Sequence, residues 1–246
     1  MNYEPILPFF DYQREDFSRV AETSNIAVLY EQGLGKTKMT LDNARYLHAH
    51  GEIEMLLVVA PSGVHTNWIT DEVPKHAPDV FAASWSSNMT AKTAARFRAL
   101  FDDPDDRSRL RLVAMNVEAF QTPERYYRNK AGAICSMILQ NFRTMMVIDE
   151  SSECIKGAGS TRTKRLIGFS QGKGQKLFYR RILDGTPIDN APLDLYAPFR
   201  WLSGRGAPLL GHHAANKTSF ERRYAITERR ESKHINPRTG QPHTYD

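Results

Sequence analysis

Six short apolar runs recur along the 246-residue chain, separated by longer stretches of mixed polarity. They are NIAVLY (25–30), MLLVVA (55–60), VFAASW (80–85), RLVAMN (111–116), TMMVID (144–149) and YRRILDG (179–185). Several are continuous rather than alternating, the pattern of strands covered on both faces. The intervening segments at 36–49, 65–76, 90–101, 123–141, 161–170 and 192–202 carry helical spacing. Strand–helix alternation of this kind predicts an α/β fold with a mostly parallel central sheet flanked by helices on both faces. Ligands of such sheets bind beyond the carboxyl ends of the strands. The longest clean apolar run, at 55–60, is far too short to cross a bilayer, so no membrane partner is expected.

Composition changes this picture little. A 41% apolar and 25% charged chain can bury a core. The net charge of +5 is a mild hint of an anionic partner. Its distribution is more telling: Ile155 to Arg181 holds eight Lys or Arg and no acid, with Lys156, Arg162, Lys164, Arg165, Lys173 and Lys176 as candidates for a phosphate backbone. Cys135 and Cys154 have neither zinc-ligand spacing nor the density of a disulfide scaffold, and the N-terminus lacks a secretory pattern. A cytoplasmic, intracellular setting is expected. His212-His213 has no further ligand at metal spacing, and Trp68 and Trp201 read as core.

Chemistry enters at YEQGLGKT (30–37). Gly33 and Gly35 let backbone N–H groups turn toward phosphate oxygens. Lys36 would reach the β- and γ-phosphates, and the Thr37 hydroxyl would ligate Mg²⁺. The strict phosphate-loop pattern wants glycine where this chain has Tyr30. A second motif, MMVIDESSE (145–153), delivers Asp149 and Glu150 at the end of an apolar run. The first would hold Mg²⁺, and the second would orient and deprotonate an attacking water.

With these two motifs in order, the chain resembles the first RecA-like P-loop lobe of superfamily-two helicases, specifically the Swi/Snf-type DNA translocases. FFDYQ (9–13) is similar to the family's Q-type motif, which implies that Gln13 reads adenine. YEQGLGKT resembles D-E-x-G-L-G-K-T, a family form without the early glycine, and puts Leu34 among the nucleotide-binding positions. LLVVAPSGVHTNWITDEVPK (56–75), VAMNVEAF (113–120), VIDESSECIKGAGSTRTK (147–164) and ILDGTPIDNAPLDLYAPFRWL (182–202) match four further blocks. The resemblance implies ATP and Mg²⁺ as cofactors, sequence-independent contacts to double-stranded DNA, and a second RecA-like lobe supplying an arginine finger. It places backbone contacts at Pro61, Ser62, Gly63, Asn116, Gly185 and Thr186, and coupling near Ser152 and Lys156.

Two positions depart from the family. Ser152 stands where D-E-x-H has histidine, and Asp184 stands where threonine or serine precedes G-T-P. A buried carboxylate at Asp184 needs a partner, with Ser152 or a basic neighbour as the candidates. These departures leave open an alternative reading as a non-catalytic nucleic-acid-binding or interaction module. The expected organisation is a lobe over 1–205, with 206–246 a partial inter-lobe extension or loose tail. No second lobe is visible, and truncation of a longer chain is the expected reason.

Overall fold

The apolar runs pair side by side. In the computed structural model, which describes residues 3–103, 106–121, 130–206, 208–211 and 216–224 and the backbone of 230–235 and 242–245, they form one six-stranded sheet. The strands are β1 (Asn25–Val28), β2 (Met55–Ala60), β3 (Phe81–Trp85), β4 (Arg111–Asn116), β5 (Thr144–Asp149) and β6 (Leu177–Leu183). Their order across the sheet is β1-β6-β5-β2-β4-β3, and every pairing is parallel. The expected helices appear as α2 (Lys36–Ala49), α5 (Ala91–Ala99), α6 (Lys130–Asn141), α8 (Thr161–Gln171) and α9 (Tyr196–Ser203). The segment expected helical at 65–76 is α3 (Val64–Asn67), a π turn (Trp68–Glu72) and α4 (Val73–His76) in succession. Of the helix expected at 123–141, the part at 123–129 lies outside the described residues.

Alternate residues of each strand serve opposite layers, as the period of two requires. Leu57, Val59, Val113, Met115, Met146 and Ile148 pack with Ile138, Leu166 and Trp201 of α6, α8 and α9. Leu56, Val58, Leu112, Ala114, Met145 and Val147 pack on the other face with Leu41, Leu47 and Trp68. Both tryptophans are core residues as expected, and both cysteines are buried and unpaired. His212-His213 lies outside the described residues.

Two features were not expected. A helix, α1 (Asp11–Val20), precedes β1 and buries only Gln13 and Phe17. Strand β6 begins at Leu177 and carries Arg181 into the core. The Arg181 guanidinium donates twice to Asn43 Oδ1 of α2 (3.1 and 2.9 Å), to Ser24 O (3.0 Å) and to Arg180 O (2.9 Å). Burial brings its pKa down to about 9. Asn43 Nδ2 in turn donates to Ala21 O at 2.8 Å. One buried arginine thereby joins β6 to the helix that follows the glycine loop.

Beyond α9, helix α10 (Lys217–Tyr224) docks through buried Phe220, whose ring lies 5.5 Å from that of Tyr196. Strands β7 (Arg230–Ile235) and β8 (Pro242–Tyr245) form a separate antiparallel pair. The remaining short helix, α7 (Ser151–Cys154), belongs to the site.

Candidate nucleotide site and strand-end loops

The chain leaves β1 at Val28, turns through residues 29–35 and enters α2 at Lys36. Gly33 and Gly35 adopt φ of 81° and 76°, the left-handed region that disfavours side chains. A Cβ on Gly35 would also lie 2.5 Å from Gln13 Nε2. Gln13 is buried beneath the loop. Its Nε2 donates to Leu34 O (3.1 Å), and its Oε1 accepts from Phe10 N (3.2 Å). The glutamine thus braces the loop, with both ends of its amide engaged by the chain. Above it, the exposed Phe10 and Tyr12 rings stack 5.9 Å apart, and Tyr12 Oη donates to Leu34 O at 3.0 Å. The missing early glycine is accounted for locally: Tyr30 donates its hydroxyl to Asp16 of α1, and its carbonyl accepts from Lys36 Nζ at 3.0 Å. Lys36 also reaches Glu31 O at 3.4 Å.

Strand β5 ends at Asp149, which is buried. Its Oδ2 accepts from Trp68 Nε1 (2.8 Å) and its Oδ1 from Glu150 N (3.1 Å). Burial raises the Asp149 pKa, while the Trp68 and Glu150 hydrogen bonds and nearby Lys36 oppose the rise. Glu150 follows at φ 49°, the sole non-glycine residue with positive φ among those described. Its pKa is also raised, by burial first and then by the charge of Asp149.

Gly33, Gly35, Lys36, Thr37, Asp149 and Glu150 line one cavity of about 360 Å³. Trp68, Glu72, Lys75 and His76 line it as well. The end of β6 approaches from a third direction: a Cβ on Gly185 would lie 3.4 Å from Lys36 Nζ. Asp184, fully buried, accepts from Ser151 Oγ (2.9 Å), Ser152 N (2.6 Å) and Thr186 N (2.9 Å). The partner needed at Asp184 is therefore the Ser151 hydroxyl with the Ser152 backbone, rather than the Ser152 side chain. No basic residue pairs with it among those described.

The candidate nucleic-acid contacts form separate groups. Pro61, Ser62 and Asn116 sit where β2 and β4 end, with Glu118 bonded to both Ser62 and Asn116. Ser152 and Lys156 line a second cavity of about 300 Å³ with Asp189, Tyr196 and Lys217. Within the basic stretch, Arg162 and Lys176 donate to the carbonyls of Glu153 and Asn141, Arg165 to that of Phe120, and Lys156 lies 3.5 Å from Asp189. These cations are already engaged by the chain. Sequence reasoning missed Trp68, Ser151 and Glu118 as site residues. Their only prior signal was position within the matched blocks.

A parallel sheet carrying a glycine loop on its first strand and an Asp-Glu pair on a central strand defines a RecA-like P-loop nucleotide-binding lobe. More narrowly, the chain belongs to the SNF2-related domain family, whose model matches residues 19–233. It is 29% identical over 169 residues to the chromatin-remodeling ATPase INO80 of Aspergillus clavatus, covering 68% of this chain and 9% of that protein. The corresponding protein of Aspergillus oryzae is 28% identical over 177 residues, covering 68% of this chain and 10% of that protein. The chain therefore spans about a tenth of the length of these relatives. The SWI2/SNF2 ATPase core of Sulfolobus solfataricus, solved in complex with dsDNA, superposes with a TM-score of 0.62 at 20% identity, over 92% of this chain and 40% of that one. The UvsW helicase of bacteriophage T4 gives 0.52 at 14% identity, over 80% and 58%. Both likenesses bear on the fold. No helix among the described residues is long and apolar enough to cross a membrane.

Proposed function

We propose that the chain is the ATP-binding lobe of an ATP-dependent double-stranded-DNA translocase or helicase-like motor acting inside the cell. The observation that carries this reading is the shared cavity: the glycine loop with Lys36 and Thr37 faces Asp149 and Glu150 across one space. Residues 1–205 would form the lobe, and 206–246 the start of an extension toward a second RecA-like lobe.

The donor set suits Mg²⁺. Asp149 and Thr37 offer hard oxygens, and no cluster of three or more His, Cys, Asp or Glu able to cage a metal occurs among the described residues. Mg²⁺ is ordinarily held in this manner, by one or two protein oxygens together with substrate phosphates and water. When bound, it would neutralise charge on the phosphates. Lys36 would exchange its two carbonyl partners for phosphate oxygens. Glu150 would orient the attacking water and accept its proton, and its raised pKa suits a base. Gln13, bonded to Leu34, would set the loop's height, while stacked Phe10 and Tyr12 offer a flat apolar surface for the adenine that Gln13 borders. The rest of catalysis is positioning. Asp184 accepts three hydrogen bonds, so its burial is compatible with an intact site. DNA-dependent hydrolysis by the chain joined to a second lobe separates this reading from the non-catalytic alternative.

The test is an ATPase assay with single-stranded, duplex and forked DNA. This chain should bind nucleotide yet turn it over slowly, because an arginine finger from a second lobe is worth roughly 10³–10⁵ in rate. Brisk DNA-stimulated hydrolysis by the chain alone would refute the half-motor reading. Absence of nucleotide binding would refute the site.

A further inference from the structure

Three donors at Ser62 and Asn116, positions where the family resemblance implies nucleic-acid backbone contact, are already committed to a carboxylate of this chain. Strands β2 and β4 run in register with Ala60 opposite Asn116, so Ser62 and Asn116 emerge beside each other. Glu118 follows in a short 3-10 turn (Val117–Phe120) and reaches both. Its Oε1 accepts from the Ser62 backbone N–H at 3.2 Å. Its Oε2 accepts from the Ser62 hydroxyl at 3.0 Å and from Asn116 Nδ2 at 3.3 Å.

The character of this contact is unusual for a surface glutamate. Every donor on it is neutral, and no Lys or Arg pairs with Glu118 among the described residues. His65 stands near, but burial lowers its pKa and keeps it uncharged at neutral pH. Partial burial opposes its ionisation, but hydrogen bonds from its own backbone N–H and from Ser62 and Asn116 outweigh that and lower the Glu118 pKa. What results is an anion cradle of one backbone N–H, one hydroxyl and one amide. Those are the groups proteins use to grip phosphodiester oxygens.

We propose that Glu118 is a resident stand-in for backbone phosphate, occupying the Ser62–Asn116 cradle and withdrawing when a DNA strand is bound. This inference rests on the duplex-DNA reading above. Glu118 then keeps the two loops at gripping distance while lowering affinity, because the incoming phosphate must replace a like charge. A purely structural brace would act in the opposite direction, since its loss would weaken the grip. The two roles differ in sign.

The experiment is a fluorescence titration of labelled duplex DNA with this chain and with E118Q and E118A, across about 50–200 mM salt. Glutamine removes the charge and keeps one acceptor oxygen, so E118Q weakens both the resident contact and the like-charge competition, and both changes favour the incoming phosphate. E118Q should bind about five- to tenfold tighter at the lowest salt, the effect of removing a like charge about 4 Å away when bulk water screens the pair. The gap should narrow as salt rises. E118A, melted alongside to verify folding, should also bind more tightly and serves as the second variant if E118Q does not fold. Salt-sensitive wild-type binding that both variants leave unchanged or weaken would overturn the inference while sparing the DNA reading. Absence of binding by all three proteins would overturn both.

Discussion

The indole N–H of Trp68 donates a 2.8 Å hydrogen bond to Asp149 Oδ2, joining two residues 81 positions apart. Trp68 opens the π turn between α3 and α4, and Asp149 ends β5. Single π turns within helices often occur at functional sites. Here the turn carries a core side chain whose one polar atom reaches the acidic pair. The loop at Pro61–Gly63 leads directly into the same helical segment. A displacement of that loop therefore has a short mechanical path to the proposed Mg²⁺ ligand.

Trp68→Phe should keep most of the packing but leave Asp149 Oδ2 without its donor. Hydrogen bonds to charged groups are worth about 1.5–3 kcal/mol. We expect roughly tenfold or greater weakening of Mg²⁺-dependent nucleotide binding, with binding in the absence of Mg²⁺ little changed. Calorimetric titrations with and without Mg²⁺ separate the two. An unaltered Mg²⁺ requirement would mean that the indole serves packing alone.

Lys36→Ala and Glu150→Gln should fail in different ways. Removing Lys36 takes away the cation for the phosphates and the tether to Tyr30 O and Glu31 O. Nucleotide affinity should fall by about 100-fold or more, the loss of two charge-assisted bonds. Glu150→Gln should retain nucleotide and lose turnover, because the amide cannot accept the proton of water. Equal loss of binding in both variants would show that Glu150 is not the base.

Much of this arrangement was legible because burial on both faces leaves continuous apolar runs, as at Met55–Ala60 and Thr144–Asp149. Helix α1 was hidden because DYQREDFSRV presents few buried positions to any periodicity. Strand β6 starts two residues before the run at 179–185 suggested, and the burial of Arg181 within it was not legible because arginine reads as a surface residue. The neutral acceptors that satisfy Arg181 lie far away in the chain, on Asn43 and Ser24. The same distance concealed the bonds of Trp68 to Asp149 and of Glu118 to Ser62. Motif spacing brought Asp149 and Glu150 to the cavity that Lys36 and Thr37 line, but long-range polar partners carry no local signature.

Acidification should separate stability from activity. Asp149 and Glu150 both have raised pKa values, chiefly through burial. A carboxyl whose folded pKa exceeds its unfolded one binds protons more readily when folded. Its contribution to stability therefore improves as pH falls through the raised value. If the proposed roles hold, turnover declines on acidification as the carboxylates are protonated. The melting temperature of the metal-free chain should show no matching drop from these two groups. Coincident loss of both would assign the decline to unfolding.

Asn43→Ala should be costly for a polar-to-alanine change. It removes two bonds from buried Arg181 and one from Ala21 O. Stranding a buried charge typically costs about 3–5 kcal/mol, whereas replacing it with an apolar residue of similar size is often tolerated. Urea unfolding should therefore show the Asn43→Ala, Arg181→Met double variant to be more stable than Asn43→Ala alone. Simple additivity of the two losses would rule out the clamp.

The departure at Asp184 should likewise show itself as a dependency specific to this chain. Its carboxylate, on the end of β6, accepts from the first turn of α7 and thereby braces the segment that begins at Glu150. Glu150 sits in the left-handed region, which costs a non-glycine residue about 1–2 kcal/mol. Asp184 thus helps hold the proposed base in a conformation it would otherwise leave. Asp184→Asn places an amide N–H₂ against N–H or O–H donors that need an acceptor. An unsatisfied buried donor costs about 1–3 kcal/mol, so the unfolding midpoint should fall. Turnover should fall further than nucleotide affinity, because Lys36 and the glycine loop remain while Glu150 is released. Ser151→Ala, which removes one of the three bonds and leaves the backbone amides in place, should show the same pattern in weaker form. If Asp184→Asn instead lowered affinity and turnover by equal factors, the brace on Glu150 would be excluded and the carboxylate would be supporting the fold alone.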